Sequence, residues 1–320
     1  MKAAVYYENG GPEVLRYEEV PDPVCPPDGV LIDVEVISLE GGDAIHRGYT
    51  PLPNRPYIVG YQCAGTVREV GAQVKGRRVG ERVVSLMLNG SHAERAVAPA
   101  AWTWGVPDGA DLVGMSCVPV TFGTAHEALF ELGHLTKGQK VLVHAGGGGV
   151  GLAAIQVARA AGAEVLTTAS SDEKLARLRD FGAHHVINYK TTSFVEAVTK
   201  AVGGVDIVID SVGGTTLQQS VQVLNYKGKI ISLGRAGREQ IAFDTFPLWL
   251  RNASVQGLYL VASLENDHAR AYGAIGEYIE RVARGELRVV IDKQFALADA
   301  SKAHAYIEQR GAFGRVVMFT

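Results

Sequence analysis

Three glycines spaced Gly146-x-Gly148-x-x-Gly151 follow the apolar run Val141-Leu142-Val143-His144 and lead into a helical pattern through Ile155, Val157, Ala158 and Ala161. A pyrophosphate-binding turn needs that order. The turn is tight, the backbone must approach an anion closely, and the free N–H groups of a helix start must face the negative charge. The candidate anion ligands are the backbones of Gly146, Gly148, Gly149, Val150 and Gly151. Gly162 ends the helix before a second β-like run, Glu164 to Thr168, so the strand–turn–helix–strand context that gives the motif its meaning is present.

Cofactor choice turns on the end of that second strand. A site for NAD places an Asp or Glu there, to accept from the ribose 2′-OH and repel a 2′-phosphate. Here the chain reads Thr168-Ala169-Ser170-Ser171, with Lys174 in the first turn of the next helix. Two hydroxyls and an ammonium suit a phosphate dianion, so NADPH is expected rather than NADH. Asp172 lies beside this pocket and reads as a helix N-cap that points elsewhere.

These residues need a framework to hold them. From about Phe122, strands alternate with helices: strand 141–144, helix from 150, strand 164–168, helix 172–181, strand 186–187, helix 194–202, strand 205–210, helix 215–224, and strands 229–233 and 255–260. That pattern predicts a doubly wound parallel sheet. Ser211 and Val212 then follow the fourth strand and Gly234-Arg235 the fifth, at the carboxyl edge where open α/β sheets bind ligands. Before it, apolar or alternating runs at 30–37, 64–70 and 82–86, punctuated by prolines, predict an irregular β domain. After Asn266-Asp267 a long helical pattern carries Tyr272, Ile275, Ile279 and Val282, and β-like runs return at 289–295 and 315–319, so the tail is expected to rejoin the first domain.

Composition narrows the function classes. The 320 residues are 47% hydrophobic and 20% charged, enough to bury a two-domain core. A formal net charge of -3 and a pI near 6.3 give no electrostatic reason to expect nucleic acid or an anionic membrane as partner. No apolar run is long enough to span a bilayer and Met1 to Tyr7 has no signal core, so a cytoplasmic location is expected. Cys25, Cys63 and Cys117 are too scattered for a disulfide framework or a C-x-x-C pair, and read as reduced structural thiols. His46, Cys63 and His92 lack ligand spacing for a metal.

Several segments together resemble the medium-chain dehydrogenase/reductases, and within them the zinc-independent quinone oxidoreductases related to ζ-crystallin. They are Met1 to Val5, Gly60-x-x-x-Ala64-Gly65-x-Val67, Val79-Gly80-Glu81-Arg82-Val83, Gly90-x-x-Ala93-Glu94, Ala145 to Gly151, Ser170 to Lys174, Asp210-Ser211-Val212-Gly213 and Phe313 to Val317. The resemblance covers nearly the whole chain. It implies an α/β fold with a GroES-like β domain, residues 1–122 and 267–320, around an inserted Rossmann domain, residues 123–266, with the active site in the cleft between them. It also implies that Tyr189 completes the 2′-phosphate pocket, that Thr121 contacts the nicotinamide side, and that a homodimer forms through the Rossmann edge at 253–260.

The same resemblance locates the catalytic half. Zinc-dependent relatives hold their metal with a Cys after the third strand, a His-Glu pair after the following glycine, and a later Cys or Asp. This chain has Leu39-Glu40-Gly41-Gly42-Asp43 at the first place and Tyr61-Gln62 at the second, and no four-cysteine loop, so no metal is expected. Without a Lewis acid, a conjugated acceptor suits, because charge arriving with a hydride delocalises onto oxygen. The expected activity is NADPH-dependent reduction of small quinones or enones. The alternatives are an alkenal or enoyl-thioester reductase of the same family and a non-catalytic, crystallin-like NADPH-binding protein. Tyr49, in the loop after Asp43 to Gly48, is the candidate hydrogen-bond donor; Glu40 and Asp43 complete the catalytic set. Glu40 departs from the asparagine common in quinone reductases, and is expected to orient a ribose or Arg47.

Overall fold

A computed structural model describes residues 1–320, and these divide into two compact units, Met1–Val120 with Ile275–Thr320 and Thr121–Ala274. The first junction falls near the expected 122/123. The second lies later than the expected 266/267, inside a long helix.

The first unit opens with β1 (Lys2–Tyr6) and β2 (Arg16–Glu19), then β3 (Gly29–Leu39), α1 (Gly41–Tyr49), β4 (Tyr57–Ile58), β5 (Gln62–Val70), β6 (Arg82–Leu86), β7 (Arg95–Pro99), β8 (Thr103–Gly105) and the short α2 (Leu112–Met115). Strand β3 buries nearly all of its residues because it pairs with β5, β7 and the final strand of the chain. Its apolar residues, among them Val30, Ile32, Ile37 and Leu39, pack with Tyr6, Val67, Val83 and Met318 in one core. Helix α1 escapes sequence reading because Gly41 and Gly42 begin it. It forms because Glu40 is extended at its N-cap and the Asp43 carboxylate accepts the Glu40 N–H at 2.8 Å.

The second unit begins at Thr121 inside α3 (Val118–His126), which continues as a π-helical stretch over Glu127–Leu132. Alternation follows: β9 (Lys140–Val143), α4 (Gly149–Ala160), β10 (Glu164–Ala169), α5 (Asp172–Arg179), β11 (His185–Asn188), α6 (Phe194–Val202), β12 (Val205–Asp210), α7 (Gly214–Ser220), β13 (Leu224–Ser232), α8 (Phe246–Trp249), β14 (Ser254–Gly257), α9 (Leu260–Asn266) and α10 (His268–Ala283). The six strands are all parallel in the order β11-β10-β9-β12-β13-β14, the doubly wound order in which the chain reverses direction across the sheet between β9 and β12. Leu142, Leu166, Val208 and Ile230 supply the middle of its core, with Phe194, Val198 and Val221 packed against them.

Two sequence expectations shift here. The helix expected over 215–224 ends at Ser220, because Val221, Val223 and Leu224 are drawn into the core and Leu224 pairs with Val205. The strand expected over 255–260 stops at Gly257, and Leu260 instead starts α9, whose Leu260 and Leu264 are buried. Strand β15 (Ile291–Ala296), α11 (Ala300–Glu308) and β16 (Arg315–Phe319) then complete the first unit, with β16 antiparallel to β3. No helix is long and apolar enough to cross a membrane.

Candidate active site

The glycine turn of the second unit is built from backbone. Gly146 N–H donates to the Thr168 carbonyl at 3.0 Å, Gly148 N–H to that of Ala145 at 2.9 Å, and Leu152 N–H makes the first intrahelical bond, to Gly148, at 2.9 Å. The N–H groups of Gly149, Val150 and Gly151 therefore stand in the first turn of α4, ahead of that bond, where a helix presents donors and a positive dipole end. A side chain at Gly151 would meet the Ala145 carbonyl at 2.5 Å and Gly146 Cα at 2.8 Å, so helix and strand pack this closely only with glycine.

Strands β10 and β11 bring the second group together. Ala169 pairs with Asn188, and Tyr189 N–H donates to the Ala169 carbonyl at 3.2 Å, placing Tyr189 next to Ser170 at the same sheet edge. Tyr189 is half exposed. The cap assignment changes: Ser171, not Asp172, is the N-cap of α5, its Oγ accepting the Lys174 N–H at 3.4 Å. Asp172 instead accepts from Asn188 Nδ2 at 2.8 Å, because the carboxylate one residue past the cap faces the neighbouring strand.

A third group forms across the β12 and β13 loops. Asp210, buried, accepts N–H bonds from Val212 and Gly213 and so fixes the turn. Ala236 N–H then reaches the Ser211 carbonyl at 3.0 Å and Gly237 N–H that of Val212 at 2.8 Å, which joins Ser211 and Val212 to the Gly234-Arg235 loop. Arg235 itself is exposed. Thr121 is buried in the body of α3, since Val118 to Val120 already belong to the helix.

Sequence reading missed a polar cluster in the first unit. Glu40, 3% exposed, forms an ion pair with Arg315 of β16. Its Oε1 also accepts from Ser38 Oγ and from Gln62 Nε2, both at 3.1 Å, while Gln62 Oε1 takes the Val120 N–H at 2.8 Å. Arg315 Nη2 donates further to Ser38 Oγ at 2.8 Å and to the Leu39 carbonyl at 2.7 Å. The expectation that Glu40 orients Arg47 is therefore corrected. Arg47 bonds His304 Nδ1 at 2.6 Å and Glu308 at 2.7 Å, because α1 turns it toward α11. Tyr49 is the last residue of α1 rather than a loop residue, and is 69% exposed.

Two buried side-chain polar atoms lack a partner, and both lie in this cluster: Asp43 Oδ1 and Arg315 Nε. Burial raises the Asp43 carboxyl well above the usual carboxylate range, and the charge of Glu40 adds to the rise. The α1 dipole favours an anion at this position by about 0.3–1 kcal/mol, whereas stripping water from a carboxylate costs several kcal/mol. Desolvation wins. Glu40, also raised by burial, is pulled back by Arg315, which stays charged. Tyr61 is half-buried, and its hydroxyl accepts the Gly42 N–H; burial and then the Glu40 charge keep it protonated. A Cβ at Gly42 would sit 2.6 Å from that hydroxyl, which is why glycine precedes Asp43.

The scattered histidines and cysteines serve structure. His46 contacts the Tyr6 and Tyr57 hydroxyls at 3.1 and 3.4 Å, and buried His92 meets His304 Nε2 to Nε2 at 3.1 Å. The three cysteines are free thiols, and no group of three or more His, Cys, Asp or Glu is disposed to hold a metal ion.

Comparison with known proteins agrees with this architecture. Residues 26–115 match the family described as the alcohol dehydrogenase GroES-like domain and residues 149–275 that described as zinc-binding dehydrogenase. The chain is 30% identical over 326 aligned residues to the quinone oxidoreductase of Pongo abelii, covering 99% of this chain and 97% of that one. A mycobacterial protein solved with NADPH is 32% identical with a TM-score of 0.94, over 100% of both chains. A 2-haloacrylate reductase structure is 31% identical with a TM-score of 0.87, over 100% of this chain and 99% of that one. The chain belongs to the quinone oxidoreductase family of the medium-chain dehydrogenase/reductases.

Proposed function

We propose that the protein reduces quinones or other conjugated carbonyl acceptors with NADPH, by direct hydride transfer and without zinc. The observation that carries the cofactor choice is at the β10 edge: hydroxyls and Lys174 stand there, no carboxylate ends the strand, and Asp172, the first carboxylate past it, is engaged by Asn188. When bound, the dinucleotide supplies the hydride. The residues of the second unit hold it: Gly146, Gly148, Gly149, Val150 and Gly151 at the pyrophosphate, Ser170, Ser171, Lys174 and Tyr189 at the 2′-phosphate, and Ser211, Val212, Gly234, Arg235 and Thr121 toward the nicotinamide. Tyr49, exposed at the end of α1, offers a hydrogen bond to the acceptor oxygen. Glu40 does not present a free carboxylate to that oxygen, because Arg315 neutralises it. The relationship to a 2-haloacrylate reductase supports acceptors with a conjugated C=C bond as well as quinones.

Reduction should survive exhaustive chelation. The test follows NADPH oxidation with 1,4-benzoquinone, 9,10-phenanthrenequinone, an enal and a simple ketone, before and after a strong chelator, with metal content checked by mass spectrometry. Retained quinone or enal turnover with negligible alcohol oxidation supports the reading. Loss that zinc restores removes it, and no turnover with any acceptor favours the non-catalytic alternative. We further propose a cytoplasmic homodimer formed through the β14 edge, where Leu250 and Tyr259 stand 70% and 65% exposed on either side of the strand. A monomer by light scattering at micromolar concentration would contradict that dimer.

A further inference from the structure

We propose that Asn188 is a specificity-determining residue for the dinucleotide: by pinning the Asp172 carboxylate to β11 it keeps that charge out of the 2′-phosphate place, and so favours NADPH over NADH. The inference rests on the reading of the β10 edge given above and lies wholly within the second unit. Asn188 is the last residue of β11, paired with Ala169 at the end of β10. The orientation of its side-chain amide is fixed by its partners. Oδ1 accepts the Lys190 N–H at 3.1 Å, so Nδ2 is the group that faces Asp172, and it donates to Asp172 Oδ1 at 2.8 Å. The backbone is held as well, since the Asn188 carbonyl accepts N–H bonds from Thr191 at 3.2 Å and Thr192 at 3.0 Å. The donor is therefore in place before any dinucleotide arrives.

What this bond restrains is a charge. Asp172 is the first residue of α5, directly after the Ser171 N-cap and in the same turn as Lys174. Ser170, Ser171, Lys174 and Tyr189 are the residues proposed to hold the 2′-phosphate, so a loose carboxylate in that turn is a like charge beside a dianion. It is also the acceptor that a ribose 2′-hydroxyl takes in sites for NAD. Tied to Asn188, the carboxylate has its hydrogen bond on β11 and does neither. Released, it is free to turn toward Ser171 and Lys174, where it competes with the phosphate for the same donors. Asn188 thus acts through Asp172, as a positioning residue, and a chain without a carboxylate at the end of β10 stays selective despite having one in the next helical turn.

Calorimetric titration of the protein with NADPH and with NADH tests this without turnover. Asn188→Ala should weaken NADPH about tenfold, the size of a like-charge contact near a protein surface, and should leave NADH unchanged or tighter. Adding Asp172→Asn to Asn188→Ala should restore the wild-type NADPH affinity, and Asp172→Asn alone should leave it unchanged. Raising the salt concentration should shrink the gap between wild type and Asn188→Ala, because a repulsion at the surface is screened. Glu173, exposed in the next position, is present in every variant, so its charge cancels in the comparison. An Asn188 that serves only to shape the turn at Tyr189 would give a loss for both dinucleotides that persists in the double variant and ignores salt, and that result overturns the proposal. Wild-type NADPH affinity in Asn188→Ala overturns it too. If Asn188→Ala does not fold, Asn188→Ser carries the same test, its hydroxyl able to accept the Lys190 N–H while one atom shorter than the amide that holds Asp172. A wild type that binds NADH as tightly as NADPH removes the reading of the β10 edge instead, and is scored before any variant is made.

Discussion

The edge of the second unit proposed to hold the cofactor and the polar cluster of the first are built by different strategies. At the glycine turn and the β12 and β13 loops the edge is made of backbone: amides at the start of α4, turns pinned by Asp210, and glycines whose lack of a side chain lets strand and helix approach. Its members sit within short stretches of chain. The cluster is made of side chains, Ser38, Glu40, Asp43, Tyr61, Gln62 and Arg315, from strands and a helix far apart in sequence and buried from water. A backbone turn tolerates exchange of the side chains around it and fails when a Cβ intrudes. A buried polar cluster fails when one partner is removed, since the remaining charge is left without water or a counterion.

Acid acts on buried histidines in both units. Burial lowers His92 to about 3 and His144 to about 4, and lowers His304 as well, so each is neutral in the folded protein and protonated in the unfolded chain below about pH 6.5. The unfolded state then binds more protons, and stability falls as pH drops from about 6.5 toward 4. His92 and His144 should each cost on the order of 3 kcal/mol by pH 4. Urea melts across that range check it, and His144→Asn should flatten the slope. An unchanged slope would mean that His144 titrates normally.

The next largest effect is expected in the cluster. Arg315→Met strands Glu40 and should destabilise the protein by about 3–5 kcal/mol, whereas Glu40→Met with Arg315→Met should recover most of that loss. Equal destabilisation of the single and double variants would show that packing, not charge, is what Arg315 contributes. Asp43→Asn bears on the same region with the opposite sign. A carboxyl raised in the folded state makes stability fall as pH rises above its unfolded value near 3.8, so the variant should be the more stable protein at neutral and alkaline pH.

At the cofactor edge the effects are smaller and fall on affinity. Lys174→Ala should weaken NADPH by about 1.5–3 kcal/mol and leave NADH unchanged, measured by calorimetry. Equal loss for both dinucleotides would point to damaged folding of α5. Tyr49→Phe should lower kcat for an enal acceptor, by removing the hydrogen bond proposed to reach the acceptor oxygen, with NADPH affinity unchanged and no loss of stability, since Tyr49 is exposed at the end of its helix.

The parallel sheet, the glycine turn and the Ser170 to Lys174 run were legible in the chain because each depends on contacts within a few residues or on a strict period. Strand 205–210, helix 194–202 and strand 315–319 fall where the pattern puts them. Helix α1 was not legible, since two glycines obscure its start and only the Asp43 bond to the Glu40 N–H reveals why it begins there. Nor was the meaning of the two departures from the relatives' pattern, Glu40 for asparagine and Gln62 in the His-Glu pair. In the folded protein they are one contact at 3.1 Å. Sequence alone determined the family, the sheet and the glycine turn, because local backbone geometry encodes them. Only the tertiary structure decided that β16 carries Arg315 to Glu40, because pairing β16 with β3 brings together residues from opposite ends of the chain, and burial there raises the Asp43 carboxyl above the usual range.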